Sequence, residues 1–183
     1  MDWSEGERRA AQRPKTSPSR KEAARREQAK RDNKERGATL FMAYNSKDTA
    51  AFKGVWVFCE QRDGVILGTG YQLLSEGRKL ANDLGVELCG VLLGSGVNEQ
   101  YAKALGGYGA DKVYICDHEL LKDYTTDAYT KVLCDLVEDK KPEVFLIGAT
   151  NIGRDLGPRV AARLHTGLTA DCTHLDVDVE KYK

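Results

Sequence analysis

Beyond Lys53 the sequence holds short runs whose centres are apolar at successive positions rather than at alternate ones. A strand that is apolar on both parities must be covered on both faces, the signature of a parallel sheet enclosed by helices. Such runs predict strands over 55–60, 86–94, 112–116 and 144–148. The segments between them change period. Leu73, Leu74, Gly77, Leu80, Ala81 and Leu84 recur at helical spacing before the stop signal Gly85, predicting a helix over 69–84. Asn98 is placed to cap a short helix carrying Tyr101, Ala102 and Leu105. Thr126 or Asp127 is placed to cap a helix with Tyr129, Val132, Leu133, Leu136 and Val137 on one face, ended by Pro142. A last helix carries Leu156, Val160, Ala161 and Leu164, with Pro158 near its first turn. Apolar and acidic residues then alternate from Leu175 to Glu180, the pattern of a half-buried strand. The β, α, β repeat predicts an α/β domain with helices on both faces of the sheet.

The start of the chain is a different kind of polymer. Residues 1–37 hold 12 Lys/Arg and 7 Asp/Glu, a net of +5, against 16 and 21, a net of −5, for residues 38–183. Between Ser4 and Ala38 there is no Val, Ile, Leu, Met, Phe, Trp, Tyr or Cys, so nothing there offsets the entropy of ordering. A basic arm and linker over 1–50, disordered or frayed around a helix at 20–36, is expected ahead of a domain over 51–183. Only Trp3 offers an aromatic face within residues 1–37, so nucleic-acid binding is not expected of the arm. The longest uncharged run, 64–75, is too short to span a bilayer. Without an apolar leader or an acid-poor transit segment, the expected location is the cytoplasm. The five cysteines include no C-x-x-C pair, which argues for buried reduced thiols rather than a disulfide or metal framework.

In parallel sheets, ligands sit beyond the carboxyl ends of the strands. Those ends carry Glu60-Gln61-Arg62-Asp63, Gly94-Ser95-Gly96, Asp117-His118 and Ala149-Thr150-Asn151-Ile152-Gly153-Arg154-Asp155. In the last loop, Gly153 permits unusual backbone geometry, Thr150 and Asn151 supply polar groups, and Arg154 offers a fork for carboxylate or phosphate. The same residues also serve a purely structural role, with Thr150 or Asn151 as a helix cap. Neither glycine pair completes a dinucleotide fingerprint, and there is no Walker A loop. The three histidines are scattered, and Asp176, Asp178 and Glu180 read as the wet side of a strand, so no catalytic group and no metal site is expected.

The stretches 53–64 and 85–94, then Asn151-Ile152-Gly153-Arg154-Asp155-Leu156-Gly157-Pro158-Arg159 and 167–173, resemble the alpha subunit of electron-transfer flavoprotein. The form found in anaerobic, bifurcation-capable systems is resembled most. The resemblance implies a Rossmann-like, adenine-nucleotide alpha-hydrolase-like domain that acts as scaffold. It also implies a beta-subunit partner, FAD in the complete heterodimer, and electrons arriving from NADH or acyl-CoA dehydrogenases. The FAD domain of the family would follow Lys183, so this chain is expected to be truncated and to hold no FAD alone. Carried over, Glu60, Gln61, Asn151, Gly153, Arg154, Asp155 and Arg159 are expected to face the cofactor or the subunit interface. For Arg154, a contact to the beta subunit or a flavin phosphate stands beside a salt bridge to Asp155 or Asp171. The alternative from another class is a stand-alone adenine-nucleotide module of the universal-stress kind, which needs a glycine-lined phosphate loop after the fourth strand.

Overall fold

The computed structural model describes Gln28 and residues 49–178. Gln28, helical and exposed, belongs to a unit over 1–43, and the rest to a unit over 44–183. The arm, its expected helix and the end of the chain from Val179 lie outside the described residues. The second unit is an α/β domain built on a four-stranded parallel sheet.

In chain order the elements are β1 (Val55–Phe58), β2 (Gln61–Arg62), β3 (Val65–Ile66), α1 (Gly68–Leu84), β4 (Leu88–Gly94), α2 (Glu99–Gly106), β5 (Lys112–Asp117), α3 (Thr126–Lys140), β6 (Val144–Leu146) and α4 (Asn151–Arg163). The sheet order is β5-β4-β1-β6. Its inner strands, β1 and β4, are buried at every position, as their two-sided apolar runs require. The outer strands β5 and β6 are only half-buried along their centres. Val57, Leu88 and Leu92 meet α1 and α2 on one face through Leu74, Ala81 and Leu105. Trp56, Phe58 and Val91 meet α3 and α4 on the other through Leu133, Val137, Leu156 and Val160. Trp56 anchors this second face, its ring 4.9 Å from that of Tyr114 and 6.0 Å from that of Phe145.

Several local expectations change. The polar turn after β1 is a β-hairpin, β2 pairing antiparallel with β3 around Asp63 and Gly64 at φ 49° and 76°. Asp-Gly with both φ positive is the two-residue connection whose twist suits paired strands. Thr125, not Thr126 or Asp127, is the cap position of α3 and its side chain makes no cap bond, while the Thr126 hydroxyl donates to Asp155. Pro158 stands well inside α4 rather than in its first turn. Both Pro158 and Arg154, whose carbonyl the missing N–H would have bonded, are exposed, so water can take that bond. Leu175 and Val177 are half-buried between exposed Asp176 and Asp178, as the alternation predicts, but the segment up to Asp178 joins no ladder. Cys59, Cys89 and Cys134 are buried, whereas Cys172 is exposed because it lies in the open stretch beyond α4. Burial pushes the Cys59 thiol up to about 12 and the Cys134 thiol to about 11, which makes both poor nucleophiles. No helix among the described residues is long and apolar enough to cross a membrane.

Asp111 ties three elements at the far end of the sheet. Its carboxylate accepts from the Leu88 backbone N–H at 2.8 Å and from Arg78 of α1 at 2.6 Å. The Leu88 bond, followed by Arg78, holds the Asp111 carboxyl below its ordinary value of 3.8. A carboxyl depressed on folding stabilises above its unfolded pKa, and that stability is lost as pH falls through the folded value. Asp111→Asn is therefore expected to cost about 1 kcal/mol at pH 7, discounted for the site's partial exposure to solvent. Urea melts of both proteins should show the difference shrinking below about pH 4. A difference that is constant down to pH 2 would contradict the assignment.

Candidate functional site

The connection after β1 runs through α1 on one face of the sheet, and the connection after β6 runs through α4 on the other. Between β1 and β6 the chain order therefore reverses, and their carboxyl ends flank the crevice where this architecture binds ligands. The residues that meet there come from far apart. Glu60, two residues past the end of β1, is 5% exposed. Its Oε2 accepts from the Thr150 hydroxyl at 2.5 Å, across 90 residues of sequence. The same Thr150 oxygen accepts from the Gly153 N–H at 3.0 Å and so caps α4. Glu60 Oε1 is buried with no hydrogen bond among the described residues, and the nearest cation, Arg62, is 3.7 Å away.

Gln61 closes the other side. Its Nε2 donates to the Leu93 carbonyl at 3.2 Å, and its Oε1 accepts from the Gly64 N–H at 3.0 Å. Tyr101 of α2 donates to the Gly64 carbonyl at 2.7 Å, so the hairpin is fastened to the end of β4 and to α2. Gly153 serves a different end from the one its residue type suggests. It sits in the first turn of α4 at an ordinary helical φ, and an added Cβ would lie 1.8 Å from the Gly148 carbonyl oxygen. Glycine is needed for close approach of α4 to the end of β6, not for a phosphate loop.

The remaining candidates are exposed and make no contact with Glu60 or Gln61 among the described bonds. Asn151 is exposed at the start of α4. Arg154 pairs with Asp171 at 2.9 Å and donates to the Ala149 carbonyl at 3.3 Å, with both members of the pair largely exposed. Asp155 accepts from Thr126 and, at 2.7 Å, from Tyr124, and these two bonds hold its carboxyl below the usual range. Burial, then the bond to Asp155, pushes Tyr124 up to about 12. Arg159 is exposed one turn beyond Asp155. Tyr124 and Thr126 carry no local signal of this role, because their partner lies about 30 residues on. They link the start of α3 to α4.

Beside Glu60 a cavity of about 190 Å³ opens, walled by Phe58, Tyr124, Tyr129 and Ile152 and rimmed by Arg62, Asp63, Lys122 and Asp123. These residues do not fit FAD. The space is below the roughly 300–1,000 Å³ of ordinary ligand pockets. A carboxyl group lies at its floor, opposed to phosphate, and the Gly153 N–H that would receive an anion is taken by Thr150.

The electron transfer flavoprotein domain family matches residues 55–183. The chain is similar to the acryloyl-CoA reductase electron transfer subunit beta of Anaerotignum propionicum, 68% identical over 141 residues, covering 77% of this chain and 38% of that protein. It is similar to the electron transfer flavoprotein subunit alpha of Clostridium acetobutylicum, 60% identical over 131 residues, 72% of this chain and 39% of that protein. The Megasphaera elsdenii subunit alpha is 50% identical over 134 residues, 73% and 39%. The chain thus spans about two fifths of the length of these relatives. Matched across its whole α/β sheet, with the switch-point crevice closed by Glu60 and Thr150, the chain belongs to the electron transfer flavoprotein domain family.

Proposed function

We propose that this chain serves electron transfer as the scaffold domain of an electron transfer flavoprotein alpha subunit, docking on a beta subunit. The observation that carries the reading is the closed crevice. At the place where this sheet topology offers a nucleotide site, Glu60 Oε2, Thr150 and Gln61 are hydrogen-bonded within the chain. That chemistry suits support rather than cofactor binding. Two large apolar side chains leave the same edge into solvent, Val65 in the hairpin after β1 at 64% exposed and Leu120 after β5 at 75%. Exposed apolar groups at one edge suit a surface that a partner covers. FAD, held elsewhere in the complete heterodimer, supplies the redox chemistry when bound. The residues of this chain shape and orient the subunit that surrounds it, and none is assigned a catalytic step. Electrons would come from NADH or an acyl-CoA dehydrogenase in the cytoplasm, in the bifurcation-type form of the system.

The test is co-purification of the full chain with a beta subunit from the same source, with an absorbance scan for flavin. Co-elution is expected. Failure to co-elute, with AMP or ATP retained by the chain alone, would replace the reading with a nucleotide-binding module. Within the complex, Arg154→Ala is expected to weaken association roughly two- to fivefold, with the melting midpoint unchanged, as befits an exposed charge. Unchanged association would leave Arg154 with its contacts to Asp171 and Ala149 inside the chain.

A further inference from the structure

Among the described residues Glu60 Oε1 is an acceptor without a donor, and the side chain that bears it is 6% exposed. The large majority of buried side-chain polar atoms in folded proteins have a hydrogen-bond partner. Arg62 does not satisfy this one: 3.7 Å is beyond hydrogen-bond length, and its side chain is 61% exposed. Glu60 is one of the residues lining the cavity of about 190 Å³, several times the roughly 30 Å³ that one water occupies in the liquid. The walls are the rings of Phe58, Tyr124 and Tyr129, the two tyrosines meeting edge to face at 5.0 Å. The rim adds Asp63 and Asp123 to Glu60, against Arg62 and Lys122. A carboxyl floor between aromatic walls is the arrangement that recognises an organic cation, through charge-assisted hydrogen bonds and ring faces together.

We propose that this cavity is a subsite for one cationic hydrogen-bond donor, an alkylammonium or guanidinium group, with Glu60 Oε1 as its acceptor. The cavity opens at the carboxyl edge that carries Val65 and Leu120, so the group is supplied by a lysine or arginine of the docked subunit. That last step alone rests on the docking reading. Thr150 keeps Oε2 occupied and so fixes the carboxyl group, which leaves Oε1 for the cation and makes Thr150 the positioning residue.

Two arms test it on the full chain. In the first, isotope-labelled protein is titrated with ethylguanidinium chloride, with sodium chloride at equal ionic strength as control. Saturable shifts at Glu60, Gln61, Tyr124 and Ile152 are expected in about the millimolar range for so small a ligand. They should weaken at least tenfold in Glu60→Gln, which can still accept from Thr150. Lys122→Glu, a change on the exposed rim, should tighten binding about two- to fivefold and keeps the test open if Glu60→Gln folds poorly. In the second arm, Glu60→Gln should weaken association with the beta subunit about 30-fold or more, the usual cost of removing one partner of a buried charged contact. Ethylguanidinium shifts with unchanged subunit association would assign the subsite to a free small cation. Should the wild-type chain fail to bind the beta subunit, the docking reading falls and the first arm alone decides the subsite. Absence of both the shifts and the association effect would overturn the proposal and leave Oε1 to solvent.

Discussion

Gly153→Ala is expected to destabilise the domain by about 3 kcal/mol, the upper range for an added methyl group in a packed interior. Its Cβ would stand 1.8 Å from the Gly148 carbonyl oxygen and 3.2 Å from the Ile147 side chain. A carbonyl cannot rotate away as a side-chain tip can. Either α4 lifts from the end of β6 or the strand end bends, and both disturb Leu156 and Val160 in the core beneath. The gain in helix propensity from glycine to alanine, about 1 kcal/mol, acts in the other direction and is too small to compensate. Gly157→Ala, one turn along the same helix, is the matched control. Its Cβ would meet nothing nearer than Leu168 at 3.9 Å, so the propensity gain should show as equal or greater stability. Urea unfolding followed by circular dichroism measures both. A loss below about 1 kcal/mol for Gly153→Ala would mean that the β6–α4 joint yields to a methyl group.

What the sequence discloses follows from the range of the interactions involved. Two-sided apolar runs identify β1 and β4 because burial on both faces leaves no polar position, and both strands are buried throughout. Helix ends were readable where one residue decides them. Gly85 takes a positive φ at the end of α1, and Asn98 accepts from the Gln100 N–H at the start of α2. The hairpin was not readable as strands, because arms of two residues are too short to show alternation. The segment after Leu175 alternates correctly, yet alternation reports burial on one side and not a hydrogen-bonded neighbour. At the site, the residue types at the strand ends were evident and their pairings were not. Nothing local says that Glu60 turns to Thr150 rather than to solvent, or that Asp155 is held by Tyr124 and Thr126. Those contacts exist only once the sheet order brings β1 beside β6.

The same pairing sets the second large expectation. Thr150→Val keeps shape and removes one oxygen that makes two bonds. It strips the cap from the first turn of α4, a loss of about 1 kcal/mol when a threonine cap is deleted. It also leaves Glu60 Oε2 without a donor beside an Oε1 that already lacks one, so the whole buried carboxyl group becomes unsatisfied. Stranding such a group costs a further 1–3 kcal/mol or so, which puts the total near 3 kcal/mol. Thr150→Ser retains the hydroxyl and should lie within about 1 kcal/mol of wild type. The double variant Thr150→Val with Glu60→Met separates the two contributions. Removing the carboxyl group along with its donor should recover most of the loss and leave about the cap alone, because the cost of an unpaired polar group disappears with the group. If the double variant is as unstable as the sum of its parts, the hydrogen bond between Glu60 and Thr150 contributes nothing. The crevice would then be held shut by the packing of α4 on β6 and not by its polar latch.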